Sequence, residues 1–351
     1  MPLTILLDMD DTLLSNSMEV FIPAYIKSLA SSVGVVDTEN FIKVLRVATV
    51  AMVRKSTPQK TLEGTFDTHF YDGIGHSKDN LSPLIDLFYR EKYPLLKELT
   101  QPRPEAQSIV GELLKNKHQV VIATNPLFPA TAIHQRLDWA GLAAYKQQFI
   151  DITSYENYHY SKPHPEYYAE ILAQSGWPEF PAVMIGNSFK DDIVPSESIG
   201  LPAFYLTNGS STEEFSLTNP LSSSGTLSAI LPWIKSIQQN PPAPLALSQN
   251  GLVTALSVTP VAAETLIRYI SPDKYNKISR LLNEAIRTTM HFSHKQYSDN
   301  LSDISECLTL FIDERSALID NLKVNITDEL IKQLASLFEA DKQFLRALKF
   351  L

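Results

Sequence analysis

Five short apolar runs, spaced so that helical patterns accompany them, constrain this chain more than any other feature. They are Leu3-Thr4-Ile5-Leu6-Leu7, His118–Ala123, Phe149–Ile152, Ala182–Ile185 and Ala203–Leu206. Apolar residues at helical spacing run through Glu105–Asn116, Thr131–Trp139 and Pro165–Ser175, with a short turn over Ile193–Ile199. Strands apolar on both faces need cover on both faces, and alternation with helices makes such a sheet parallel. The expected class is therefore α/β. About 110 residues separate the first run from the second, far more than the ~12 that one crossover needs. Helical spacing in Val20–Leu29, Phe41–Met52 and Leu84–Leu96 marks this excess as an inserted helical subdomain.

Glycine and proline divide the rest. The last glycine is Gly251 and the last proline Pro272, so residues 273–351 contain neither breaker and read as all-helical. Helical patterns there cover Val261–Ile270, Lys274–His291, Leu301–Leu322 and Thr327–Leu351, the shape of a helical bundle. Asn240-Pro241-Pro242-Ala243-Pro244 reads as a stiff linker. The expected organisation is an α/β core from 1–15 and 98–238, a helical insertion over 16–97, and a C-terminal helical domain over 246–351.

Charge and cysteine content exclude several function classes. A formal net charge of −9 with no basic run argues against nucleic acid, whose phosphates need clustered cations. One cysteine, Cys307, leaves no disulfide framework and no multi-cysteine zinc site. No apolar window reaches the ~20 residues of a membrane span. The opening MPLTILLDMDD lacks the basic start of a signal peptide. The expectation is a cytoplasmic protein with no membrane or nucleic-acid partner, in which the C-terminal helices serve self-association or a protein partner.

The chemistry-bearing residues sit at the ends of the apolar runs, where open α/β sheets bind ligands. Asp8, Asp10 and Asp11 follow the first. Alternate residues point the same way, so Asp8 and Asp10 converge while Met9 does not. Two close carboxylates repel unless a cation lies between them, and oxygen ligands favour Mg²⁺. Taken alone, the pair equally fits a helix cap or a solvated turn. The second run ends at Thr124-Asn125. After the third comes Ser161-Lys162-Pro163-His164-Pro165, opening a helix, and the fourth ends in Gly186-Asn187-Ser188-Phe189-Lys190-Asp191-Asp192. In order, the runs carry paired carboxylates, a hydroxyl, a lysine, and an amide with carboxylates.

These segments resemble the four motifs of the haloacid dehalogenase superfamily: Asp8–Thr12 the first (DxDxT), Thr124 the second, Lys162 the third and Gly186–Asp192 the fourth. The resemblance covers residues 1 to about 235 and implies a Rossmann-like three-layer core with a helical C1-type cap inserted after the first strand. It implies Asp8 as nucleophile, Asp10 as general acid/base, and Thr124, Asn125 and Lys162 as binders of the transferring phosphoryl group, with Lys162 also neutralising charge. It further implies Mg²⁺ held by Asp8, Asp10, Asn187 and Asp192. Members that break carbon–halogen bonds typically lack the second aspartate, so Asp10 favours a phosphatase acting on a small phosphorylated substrate. Phosphomutase or dehalogenase chemistry, or a scaffold that only binds, are the alternatives. One departure stands out: the family usually has Asp where this chain has Asn187, which removes a negative charge from the metal site.

Other residues invite a role less strongly. His69, His76, Arg54 and Lys55 lie in the insertion, where they could meet a substrate but read equally as surface and helix residues. His164 suits the start of the helix after Lys162, and Ser188 could hydrogen-bond near the metal. His291 and His294 form an HxxH pair without an obvious third ligand.

Overall fold

The structure, a computed structural model, describes residues 1–34, 37–55, 60–175, 180–207 and 215–242. The expected C-terminal helical domain and the His291/His294 pair lie outside these. In chain order the elements are β1 (Thr4–Leu7), β2 (Leu14–Ser15), α1 (Met18–Ser32), α2 (Thr38–Arg54), α3 (Leu62–Ile74), α4 (Lys78–Glu91), β3 (Gln101–Pro102) and α5 (Pro104–Lys115). There follow β4 (Gln119–Ile122), α6 (Ala130–Trp139), β5 (Asp151–Ile152), α7 (Pro165–Gln174), β6 (Ala182–Gly186), α8 (Val194–Ser198), β7 (Ala203–Leu206), β8 (Ser223–Gly225) and α9 (Ile230–Gln239).

Six strands form one parallel sheet in the order β5-β4-β1-β6-β7-β8. The fold is a Rossmann-like α/β core. Its strands alternate cleanly between two apolar layers. Ile5, Leu7, Val120, Ile122, Val183, Ile185, Phe204 and Leu206 face one, with α5, α6 and α9; Leu6, Val121, Met184 and Tyr205 face the other, with α7 and α8. Burying each large apolar side chain contributes about 1.5–3 kcal/mol. The period-2 pattern therefore fixes which face each residue takes, since a slip of one residue would exchange the layers.

All five apolar runs are strands. The sixth, β8, is Ser-Ser-Gly at the sheet edge and only partly buried, so it carries no apolar pattern to betray it. Between β1 and α5 the described residues make four α-helices and a 3-10 helix at Tyr93–Leu99. It leaves and returns side by side through an antiparallel pair, Leu14 opposite Pro102 and Ser15 opposite Gln101. Helix α3 was not expected, because Gly64 and Gly73 interrupt its pattern. Gly73 is what lets it approach α2: a Cβ there would stand 2.8 Å from Val44 Cγ1. Side-chain caps start both helices: Asp37 accepts from Asn40 N at 2.9 Å and Thr61 from Gly64 N at 3.1 Å, each worth ~1 kcal/mol.

Among the described residues, no helix is long and apolar enough to cross a membrane.

Candidate active site

Strand β1 lies between β4 and β6, with Leu7 level with both Ile122 and Ile185. The same register sets Asp8 level with Ala123 and Gly186, so Thr124 and Asn187 leave the two flanking strands one residue beyond Asp8. Asp8 N donates to Ile185 O at 2.9 Å and Ala123 N to Leu7 O at 2.7 Å, which carries the ladder to the sheet's rim. Beyond it the chain turns sharply: Asp11 takes φ +56°, a region that Asp tolerates better than most residues. Arg103 Nη1 clamps the turn by donating to the carbonyls of Asp11 (2.6 Å) and Thr12 (3.2 Å).

Lys162 is buried and donates to two carboxylates, Asp8 Oδ1 at 2.7 Å and Asp192 Oδ1 at 2.6 Å. Burial alone would lower its pKa, but the two anions overcome that and hold the ammonium well above its usual value. Asp192 is pushed up to about 7, chiefly by burial, with Lys162 opposing. Its other oxygen accepts from Ser188 N at 2.9 Å. Gly186 makes this possible, since a Cβ there would lie 2.3 Å from Asp192 Oδ2.

Asp10 has its own cation, which the motif reading missed. Arg136 Nη1, on α6, donates to Asp10 Oδ2 at 2.5 Å, and Asn16 Nδ2 donates to Asp10 Oδ1 at 2.8 Å. Arg136 is 1% exposed, its guanidinium lies 4.6 Å from the centre of the Phe128 ring, and its Nε and Nη2 have no partner. A signal was available. Ile133, Arg136, Leu137 and Ala140 are spaced i, i+3, i+4 and i+7, so this arginine interrupts the apolar stripe of α6.

Asn187 meets the first motif directly. Its terminal amide atom lies 3.0 Å from Asp10 O, 3.0 Å from Thr12 Oγ1 and 3.1 Å from Asp8 Oδ2. Thr12 Oγ1 also donates to Asp8 Oδ2 at 2.9 Å. Turned with Nδ2 inward, the amide donates to these oxygens. Turned with Oδ1 inward, it forms with Asp8 Oδ2 and Asp10 O a set of hard ligands. Adjacent ligands of an octahedral Mg²⁺ with ~2.1 Å bonds stand ~3.0 Å apart, and the amide atom keeps that spacing from both Asp8 Oδ2 and Asp10 O. Among the described residues no three His, Cys, Asp or Glu side chains gather as a metal cluster; the candidate Mg²⁺ set has one carboxylate, one amide and one backbone carbonyl. Asp192, anticipated as a ligand, has both oxygens engaged by Lys162 and Ser188 N.

Thr124 and Asn125 line the same cleft of about 310 Å³. The Thr124 carbonyl is fixed by Thr153 Oγ1 at 2.7 Å and Tyr167 Oη at 2.6 Å, while Asn125 Oδ1 is buried without a partner. Ser188 caps the turn that follows, accepting from Asp191 N at 3.1 Å. His164 Nε2 pairs with Val53 O at 2.8 Å, and His69 Nδ1 with Thr65 O in its own helix. His76 and Arg54 are exposed. Lys55 Nζ donates to His159 O at 3.0 Å and sits over the Tyr160 ring. None of these last five lines the cleft.

The haloacid dehalogenase-like hydrolase family matches over residues 3–199. No curated protein matches. Among solved structures, the chain is similar to a 2-haloacid dehalogenase from Pseudomonas syringae pv. Tomato DC3000 (20% identity, 67% of this chain and 99% of that one, TM-score 0.46). It is similar to a HAD phosphatase from Thermococcus onnurineus (16%, 69% and 99%, 0.41). A third is the L-2-haloacid dehalogenase from Xanthobacter autotrophicus with chloropropionic acid covalently bound (14%, 68% and 100%, 0.43). With the family matched over more than half its length, the chain belongs to the haloacid dehalogenase-like hydrolases.

Proposed function

We propose that this hydrolase is a Mg²⁺-dependent phosphatase acting on a small phosphorylated metabolite through an aspartyl-phosphate on Asp8. One observation carries the reading: a second carboxylate, Asp10, lines the same cleft as Asp8, and the Asn187 amide atom stands at Mg²⁺-ligand spacing from Asp8 Oδ2 and Asp10 O. An Asp8 carboxylate oxygen attacks phosphorus, and the ester P–O bond breaks. Asp10 gives its proton to the departing alkoxide, then takes one from the water that attacks the acyl phosphate at phosphorus, regenerating the Asp8 carboxylate. Lys162 offsets negative charge on Asp8 and on the phosphoryl oxygens. Thr124 and Asn125 hold the phosphoryl group from the β4 side. Mg²⁺, when held by Asp8, the Asp10 carbonyl and Asn187 Oδ1, supplies positive charge opposite the phosphoryl oxygens. Helices α1–α4 form the lid.

The test is phosphate release from a panel of phosphate monoesters with and without Mg²⁺, with Asp8→Asn as control. Mg²⁺-dependent release that the variant abolishes is the expected result. Release unchanged in Asp8→Asn would sink the aspartyl-phosphate.

A second reading has one observation in its favour. With Nδ2 inward, Asn187 satisfies Asp8 Oδ2, Asp10 O and Thr12 Oγ1 without a cation, an arrangement suited to metal-free displacement of halide by Asp8. Chloride release from a 2-haloacid distinguishes it.

A further inference from the structure

The cleft beside Asp8 is lined by two unlike sets of residues. One is the strand-end machinery. The other is Met18 and Ile22 of α1 with Leu127 and Phe128 of the segment after β4. Among the described residues lining the cleft, the cations are Lys162 and Arg136, and both are committed: Lys162 to Asp8 and Asp192, Arg136 to Asp10. Three further carboxylates, Asp11, Asp191 and Asp192, line it too. Of the two insertion cations that the sequence offered for a second anion, Lys55 is turned to His159 O and Tyr160, and Arg54 is exposed and outside the cleft lining.

From this we propose that the substrate's leaving group carries no second anionic group and binds through apolar surface to Met18, Ile22, Leu127 and Phe128. The inference rests on the phosphatase reading and narrows it to monoesters of uncharged alcohols or phenols, excluding sugar bisphosphates and phosphorylated hydroxy acids. A carboxylate or second phosphate on the leaving group would enter a partly desolvated site among carboxylates, with no uncommitted cation among the described lining residues to meet it. Specificity of this kind comes from the unpaired charge imposed on the wrong substrate rather than from extra contacts to the right one.

A matched pair of esters tests it: phenyl phosphate and 4-carboxyphenyl phosphate, with the full-length protein and Mg²⁺. Phenyl phosphate should show the higher kcat/KM by about tenfold or more, the range that a single group in a pocket controls. Ile22→Lys, which places an ammonium in the apolar set, should move the ratio about tenfold toward the carboxylated ester. Equal or preferred turnover of 4-carboxyphenyl phosphate by the unaltered protein overturns the inference while leaving the phosphatase reading intact. Turnover of neither ester, nor of any other monoester, overturns the phosphatase reading and this inference with it. An unaltered ratio in a folded Ile22→Lys protein overturns the assignment of this set to the leaving group. The wild-type ratio decides the main point even where the variant does not fold.

Discussion

Lys162 and Arg136 are both buried cations, each paired to a carboxylate of the first motif, yet they are held very differently. Lys162 is bonded to Asp8 and Asp192 together and stands on a loop anchored to the sheet's rim. Arg136 reaches Asp10 from a helix face, bonds through one nitrogen, and leaves Nε and Nη2 without partners. A buried charge is tolerated when its hydrogen-bonding capacity is met, and leaving donors unmet costs about 1–3 kcal/mol each. Lys162 is thus met by anions on two sides, while Arg136 is held with hydrogen-bond donors unmet. Where both carboxylates look equivalent in sequence, their surroundings separate them: Asp8 is pinned on both oxygens by Lys162 and Thr12, whereas Asp10 is turned toward α6 and Asn16.

The contrast can be broken from either side. The largest effect belongs to Asp8→Asn, which removes the proposed nucleophile: steady-state phosphate release should fall on the order of 10⁴-fold with the circular dichroism spectrum unchanged. Lys162→Met comes next. It leaves Asp8 and Asp192 facing each other in a buried site, so thermal unfolding should register a loss of about 3–5 kcal/mol and turnover a ~10²- to 10³-fold drop. Arg136→Met should lose less, about 1–3 kcal/mol, because removing the guanidinium also removes its unmet donors. A loss equal to that of Lys162→Met would show the two cations to be held alike. Smallest is Asn187→Asp. Calorimetric titration with Mg²⁺ alone should show about tenfold tighter binding, since a hard cation gains an anionic oxygen. Equal affinity would mean that the amide keeps its nitrogen toward Asp8.

Much of this was legible in the residues, and for definable reasons. The strands declared themselves because Leu6 or Val121 must be buried in one layer while Ile5 or Ile122 is buried in the other, which leaves an unbroken apolar run. Asp8, Thr124, Lys162 and Asn187 were legible because each closes or follows such a run. Arg136 was not, because it belongs to no motif and its partner is 126 residues away; only its place on the apolar stripe of α6 hinted at a buried charge. The resemblance offered Asp192 as a ligand, but a motif does not reveal that Gly186 lets its carboxylate fold back onto Ser188 N and Lys162. Helix α3 escaped because its two glycines lower helix propensity, and packing against Val44 outweighs that. Strand β8 escaped because backbone pairing with β7 holds a Ser-Ser-Gly segment that has no apolar side chain to bury.

The level alignment of Leu7 with Ile122 and Ile185 has a consequence for refolding. Sliding any of these three strands by one position would displace its site residue by ~3.3 Å and turn it to the opposite face. No partly ordered or misregistered species can then bring Asp8, Thr124 and Asn187 together, so recovered turnover after denaturation counts only correctly zipped molecules. For this chain an activity assay doubles as a gauge of central-sheet assembly, which helical content does not report.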